Sequence, residues 1–380
     1  MMMKPLSHFS RIVAVILLSS LCVAGVAAQQ QGIPAAPPPQ VPILGSQLLK
    51  ITSSVVGREY HLYVNLPRGY EDTSRTFPVI YLTDGQWDFP LAVALFGEQY
   101  YDGFVPASII VGITWGGNDP NYDSLRAIDL TPTRIQQLPH SGNAPKFLAF
   151  MKEELISFIE TRYRAAKNDR TLMGSSLGGL FTLFALFHET GLFNRYVLTS
   201  PALGWDNGII YTLEKTYAEK NSRLPAKLFM AMGALEAAVG GDDFQKFIRQ
   251  LQSRSYEGLD LETRVLENTG HSGSKAEGYS RGLQAVFAQP SLRLAPDVLT
   301  QYVGRYQVAP GFTVEIVREG DGLVLLAPGN ARLALCAESE ENFYCKGMYL
   351  LLRFKRNERG KVTGFDVEQY SGQRFAPRID

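Results

Sequence analysis

The chain has 380 residues, 45% of them hydrophobic and 19% charged, with 37 basic side chains set against 37 acidic ones. That length can bury a large core and divides more comfortably into two domains than one. A formal charge of zero with no Lys/Arg run gives no general attraction to nucleic acid or anionic lipid, so neither is expected as a partner.

The start of the chain predicts a secretory leader over 1–28. Lys4 and Arg11 precede the apolar stretch "IVAVILLSSLCVAGVAA", and Val26-Ala27-Ala28 supplies small residues for cleavage before Gln29. The stretch falls short of the roughly 20 residues of a membrane span, so no membrane insertion is expected after cleavage, and the mature protein belongs in the periplasm or outside the cell. Cys22 suggests a lipoprotein, but Leu21 is bulky where such sites want a small residue. A proline-rich linker is expected over 29–46.

From 47 to 288 short β-branched runs alternate with helical patterns. "KITSSVV" and "REYHLYVNL" read as an antiparallel entry pair, and "FPVIYL", "ASIIVGI", "RTLMG", "RYVLTS", "KLFMAMG" and "LETRVLE" as buried strands. Helices are expected in "PKFLAFMKEELISFIETRY", "GGLFTLFALFHE", "DDFQKFIRQLQSR" and "SKAEGYSRGLQAVFA". Such alternation predicts an α/β domain with a mostly parallel sheet covered on both faces. Over 296–380 the helical patterns stop, and "YVGRYQV", "FTVEIVRE", "LVLLAP", "ARLALCA", "YLLLRFKR" and "VTGFDVEQ" predict an all-β meander or small barrel. Cys336 and Cys345 lie there, either paired across a hairpin or as two unpaired buried thiols.

"RTLMGSSLGGLF" carries the chemistry. A nucleophile on a sharp strand-to-helix turn needs glycine two places before and two after, where any side chain would strike its neighbours. Ser176, between Gly174 and Gly178, meets that demand; Ser175, between Met173 and Leu177, does not. A phosphate loop would need Gly-Lys-Ser/Thr where Gly-Leu-Phe stands.

The general base follows by elimination among five histidines. His8 leaves with the leader, His61 sits in a strand and His140 in a connection. His188 stands on the helix after Ser176, about 18 Å along it. His271 in "ENTGHSGS" follows the last sheet strand, giving the order serine, acid, histidine. Glu236, just past "KLFMAMG", leads as the acid; Asp242, which can cap the following helix, Asp243 and Asp206 are the alternatives. Backbone donors for an oxyanion are expected from Leu177 and, beyond Gly85, from Gln86. No metal-binding spacing appears, and neither metal nor cofactor is expected in the reaction.

With "YLTDGQ", "RAIDLTPT", "GSSLGGLF", "TSPALGWDN" and "TGHSG" in that order, the chain resembles the bacterial ferric-siderophore (enterobactin) esterases and related esterases of the α/β-hydrolase fold. The resemblance implies hydrolysis of an ester or lactone by Ser176 with His271, and a small-molecule ester as partner. It implies that Trp205 and Arg126 contact substrate; for Arg126 an ion pair with Asp129 is the competing reading. Where that family carries an aromatic pair after Ser-Pro, only Trp205 stands here, behind Gly204. The tail, through "YVGRY", "LVLLAP" and a closing F-x-P-R, resembles the small β-barrel module appended to secreted serine hydrolases, expected to pack against or shade the esterase domain. Acyl transfer to an alcohol and a non-catalytic binding role are the competing functions; the ester's two halves and the oligomeric state are not readable.

Overall fold

The computed structural model describes residues 41–236 and 241–380; the expected leader and the linker up to residue 40 lie outside them. Eight strands, β1 (Ser46–Ser53), β2 (Arg58–Asn65), β3 (Phe77–Leu82), β4 (Ile109–Trp115), β5 (Ala165–Ser175), β6 (Arg195–Thr199), β7 (Arg223–Gly233) and β8 (Glu257–Leu266), form one sheet in the order β1-β2-β4-β3-β5-β6-β7-β8. β1 and β2 pair antiparallel, as does β2 with β4, and every pair from β4 to β8 is parallel. This is the α/β-hydrolase arrangement, with the C-terminal ends of the parallel strands on one edge.

The inner strands feed two cores because successive side chains point to opposite faces. In β3, Val79 and Tyr81 join one apolar cluster while Ile80 and Leu82 join the other; in β7, Leu228 and Met230 separate from Phe229 and Ala231 in the same way. The second face is covered by α1 (Gly85–Tyr101) and, late in the chain, by "SKAEGYSRGLQAV" at 274–286. Against the first face lie the helices from α2 (Tyr122–Asp129) through α3 (Ala144–Phe150), α4 (Ile156–Arg162), α5 (Leu177–His188) and α6 (Ile209–Ala218) to α7 (Asp242–Arg254). The helix at 274–286 is α8 (Ser274–Val286), and a short α9 (Pro296–Thr300) leads into the tail. Among the described residues no helix is long and apolar enough to cross a membrane.

The tail is a second sheet of eight antiparallel strands in sequence order, β9 (Gly304–Ala309), β10 (Phe312–Glu319), β11 (Gly322–Ala327), β12 (Ala331–Ala337), β13 (Asn342–Cys345), β14 (Leu350–Arg356), β15 (Val362–Gln369) and β16 (Gly372–Pro377). A bridge from Tyr306 to Arg378 brings its two edges together. Its interior is filled by Tyr302, Tyr306, Phe343, Phe354 and Phe365 stacked edge to face, a packed core rather than a ligand cavity. Leu335 pairs with Cys345 and Cys336 with Tyr344, so the two cysteines point to opposite faces and both are free thiols. The hairpin disulfide is therefore ruled out by a one-residue offset in register.

The tail packs against the first sheet but does not shade the edge formed by the C-terminal ends of its parallel strands. Tyr349 and Tyr370 meet Tyr100 and Tyr101, with ring centroids 5.1 and 4.9 Å apart, and Arg68 lies 4.0 Å over Tyr370. These partners sit where α1 ends and where the β2–β3 connection runs, at the N-terminal ends of the parallel strands. The Glu368 carboxyl lies in this seam. Burial pushes its pKa up, but hydrogen bonds from Tyr349 (2.6 Å) and Arg353 (2.8 Å), with the charges of Arg353 and Arg75, outweigh burial and hold it below the usual 4.5. A carboxyl depressed in the fold stabilises above its unfolded value and loses that contribution as pH falls through the folded one. The thermal midpoint should accordingly drop as pH falls below 4.5, and Glu368→Gln should flatten that part of the curve. Superimposable midpoint–pH curves for the two proteins would contradict this.

Candidate active site

Four neighbouring strand ends, those of β5, β6, β7 and β8, carry Ser176, Ser200, Glu236 and His271 along one edge. Ser176 is the corner between β5 and α5, with φ 59° and ψ −118°. A non-glycine residue at such a φ costs about 1–3 kcal/mol and persists only where its surroundings hold it. Here the Ser176 N–H donates to Thr199 O at 3.1 Å, and its carbonyl accepts from Leu180 and Ala202, each at 3.0 Å. The flanking glycines are obligatory. A Cβ on Gly174 would come within 2.6 Å of the Gly178 backbone, and one on Gly178 would strike the Thr83 hydroxyl.

Leu177 is the first residue of α5 and Gln86 the second of α1, and these helices start beside each other because β3 pairs with β5 at Leu82–Met173. The first N–H groups of a helix have no acceptor within it and carry the positive end of its dipole. The edge therefore offers two sets of backbone donors next to Ser176. Asp84, which turns the chain into α1, takes the left-handed conformation with φ 54°.

His271 lies in the turn between β8 and α8, its side chain 52% exposed, with Nδ1 2.5 Å from Glu236 Oε2. Glu236 closes a single 3-10 turn after β7 and is nearly buried. Its other oxygen accepts from the Gly233 N–H at 2.9 Å and from the Ser200 hydroxyl at 2.6 Å. A backbone bond from Leu235 N–H to Thr269 O, 3.0 Å long, ties the acid's turn to the histidine's. No hydrogen bond joins Ser176 Oγ to His271 among the described residues; the ring's other nitrogen, Nε2, is the one left for that contact. Beside the pair opens a cleft of about 200 Å³ lined by Pro201, Leu203, Met232, Phe244 and His271.

The other carboxylates do not reach the imidazole. Asp242 is exposed and opens α7 without capping it through its side chain, Gly241 occupying the cap position. Asp243 receives Tyr211 OH on its backbone oxygen at 2.7 Å, and Asp206 sits in the 3-10 turn Trp205–Asn207. Among the other histidines, His61 bonds Glu59 at 3.0 Å and His188 stacks on Phe184.

Arg126 does not pair with Asp129. It grips Asp84 with two bonds, Nε to Oδ1 at 2.9 Å and the terminal nitrogen to Oδ2 at 2.8 Å, and its guanidinium lies 5.6 Å from the Trp87 ring centroid. Burial works against the guanidinium's charge, but the Asp84 bond and the charges of Asp84, Asp123 and Asp88 prevail and raise its pKa. Asp129 is instead fully buried and takes bonds from Arg58, Tyr60, Trp115 and Asn143. Trp205 spans the rim, its Nε1 donating to Thr133 O at 3.2 Å, and thus joins the segment after β6 to the one after α2.

Sequence reading missed Asp84, Ser200, Ser274 and the Asp88 clamp. Asp88 on the first turn of α1 accepts from Lys275 (2.6 Å) and Tyr279 (2.7 Å) of α8. Burial raises the Asp88 pKa against the opposing pull of Lys275 and Tyr279. Its only sequence signal was a carboxylate amid apolar residues in "DFPLAVALF". Among the described residues no cluster of His, Cys, Asp or Glu could hold a metal ion.

The Esterase family model, described as Putative esterase, matches residues 53–234, and one described as Domain of unknown function (DUF3471) matches 290–377. The ferri-bacillibactin esterase BesA of Bacillus subtilis is 30% identical over 251 residues, which span 60% of this chain and 85% of that protein. The solved structure of the BES protein from Bacillus cereus superimposes with a TM-score of 0.58 at 26% identity, over 66% of this chain and 98% of that one. An IroE-like serine hydrolase from Shewanella oneidensis gives a TM-score of 0.57 at 27% identity, over 64% and 80%.

Proposed function

The chain belongs to the Esterase family of hydrolases, and from that premise we propose that it is an exported serine esterase that cleaves small-molecule carboxylic esters or lactones through an acyl-enzyme on Ser176. The observation that carries the reading is the Glu236–His271 contact of 2.5 Å on the same sheet edge as the strained Ser176 corner. His271 Nε2 takes the proton of Ser176 Oγ as that oxygen attacks the ester carbonyl carbon. Glu236 holds Nδ1–H, fixing the tautomer and stabilising the imidazolium. The Leu177 and Gln86 N–H groups receive the charge that forms on the carbonyl oxygen. Collapse expels the alcohol, which leaves with the proton from His271, and water repeats the sequence to release the acid. The absence of a Ser176–His271 bond accords with free enzymes, whose catalytic hydrogen bonds often tighten only around substrate. Trp205 and Arg126 stand on the rim, Arg126 acting there through Asp84.

The relative named a ferri-bacillibactin esterase favours a siderophore ester among the substrates. The test is to express the chain with its leader, recover it from the periplasm or medium, and treat it with a fluorophosphonate. The expected result is an N-terminus at Gln29, one adduct on Ser176, and turnover of aryl, sugar-acetyl or trilactone esters with water as acceptor. No adduct on Ser176 sinks the proposal; ester products formed with an added alcohol would convert it to a transferase.

A further inference from the structure

Between Ser176 and Glu236, on the intervening strand end, stands a second serine that the reaction does not use. Ser200 follows β6, is 3% exposed, and has φ 44°. A glycine would occupy that left-handed conformation without strain, so a serine there keeps its hydroxyl at the expense of backbone comfort. The hydroxyl makes two contacts, to Glu236 Oε1 at 2.6 Å and to Ser274 Oγ at 2.8 Å. Ser274, fully buried at the start of α8, also lies within hydrogen-bond distance, 2.7 Å, of the backbone oxygen of His271. We infer that Ser200, backed by Ser274, is a positioning residue that locks the Glu236 carboxylate against His271, an inference resting on the assignment of Glu236 and His271 as the working pair.

The proton count makes the direction definite. Three oxygen–oxygen contacts, Ser200–Glu236, Ser200–Ser274 and Ser274–His271 O, share two hydroxyl protons. An ionised carboxylate has none to give, so Ser200 donates to Glu236 and the single Ser274 proton serves Ser200 or His271. Glu236 is then held by three donors: Gly233 N–H and Ser200 O–H on one oxygen, His271 Nδ1–H on the other. Without the Ser200 hydroxyl one oxygen keeps only a backbone donor, and the carboxylate can rotate away from Nδ1.

A structural role and a positioning role predict different results for Ser200→Gly. Relief of the positive φ offsets part of the stability lost with the buried bond, so Tm should fall by no more than a few degrees, while loss of a charge-assisted bond should lower kcat about tenfold with KM little changed. Ser200→Ala should lose kcat similarly, and the low-field proton resonance of His271 Nδ1–H should shift or exchange faster in both variants. An unchanged kcat together with an unchanged His271 resonance overturns the inference, as does a loss of kcat that merely tracks a fall in Tm. Should Ser176→Ala prove as active as the parent, the assignment of Ser176 as nucleophile fails, yet the resonance of His271 still decides what Ser200 does.

Discussion

Ser176→Ala should lower kcat/KM for any ester the enzyme cleaves by about 10⁴- to 10⁶-fold, because on the proposed mechanism the acyl-enzyme forms on Ser176 and what persists without it is oxyanion binding alone. The fold should not notice. Among the described residues the Ser176 side chain makes no hydrogen bond, whereas its backbone N–H and carbonyl, which pin the corner, are untouched by the exchange. Alanine bears the same Cβ at the same positive φ, so the strain neither grows nor relaxes. Thermal midpoint and circular dichroism should match the parent, and the fluorophosphonate adduct should vanish. Activity within tenfold of the parent would place the nucleophile elsewhere. The adjacent Ser175 is a poor substitute: it is 1% exposed, its hydroxyl turned into the protein at the end of β5.

Much of this site could be read from the chain because steric rules acted locally. The glycine before Ser176 is demanded by backbone only four residues away and the one after it by the Thr83 hydroxyl beyond β3, and both demands are met by one short motif. The strands of the first sheet were legible through their continuous apolar runs, and the second sheet through its turns. α1 was not, since Gly85, Pro90 and Gly97 interrupt a segment whose apolar residues do not gather on one face. The pairing of Arg126 was misjudged for a different reason. Its partner, Asp84, lies 42 residues upstream and meets it only because the β3 end and α2 share one edge of the sheet, while the nearer Asp129 is turned inward. Ser200 looked like a loop serine before proline; only the third dimension brings Glu236 and Ser274 to it. Two strands went unseen because β13 has four residues and β16 is largely polar and exposed.

Replacing Asp129 by alanine should be the costliest change to the fold, at about 3–5 kcal/mol, or a fall in Tm of roughly 10 °C. The carboxylate is fully buried and gathers Arg58, Tyr60 and Trp115 on one oxygen, each at 2.8 Å, and Asn143 on the other at 2.9 Å. Alanine strands two buried donors, the Tyr60 hydroxyl and the Trp115 N–H, and leaves the Arg58 charge without its counter-ion. Asp129→Asn should cost less. Its carbonyl can still meet the three donors on one side, and the Asn143 amide can flip to face the new NH₂, though the charge of Arg58 stays uncompensated. Because Asp129 ends α2, which carries Arg126 to Asp84, activity should fall along with stability in both variants. Denaturant titration and ester turnover measured together separate this behaviour from that of Ser176→Ala, where activity falls and stability holds. A loss below about 1 kcal/mol for Asp129→Ala would mean that water replaces the carboxylate in that pocket and that the rim does not depend on it.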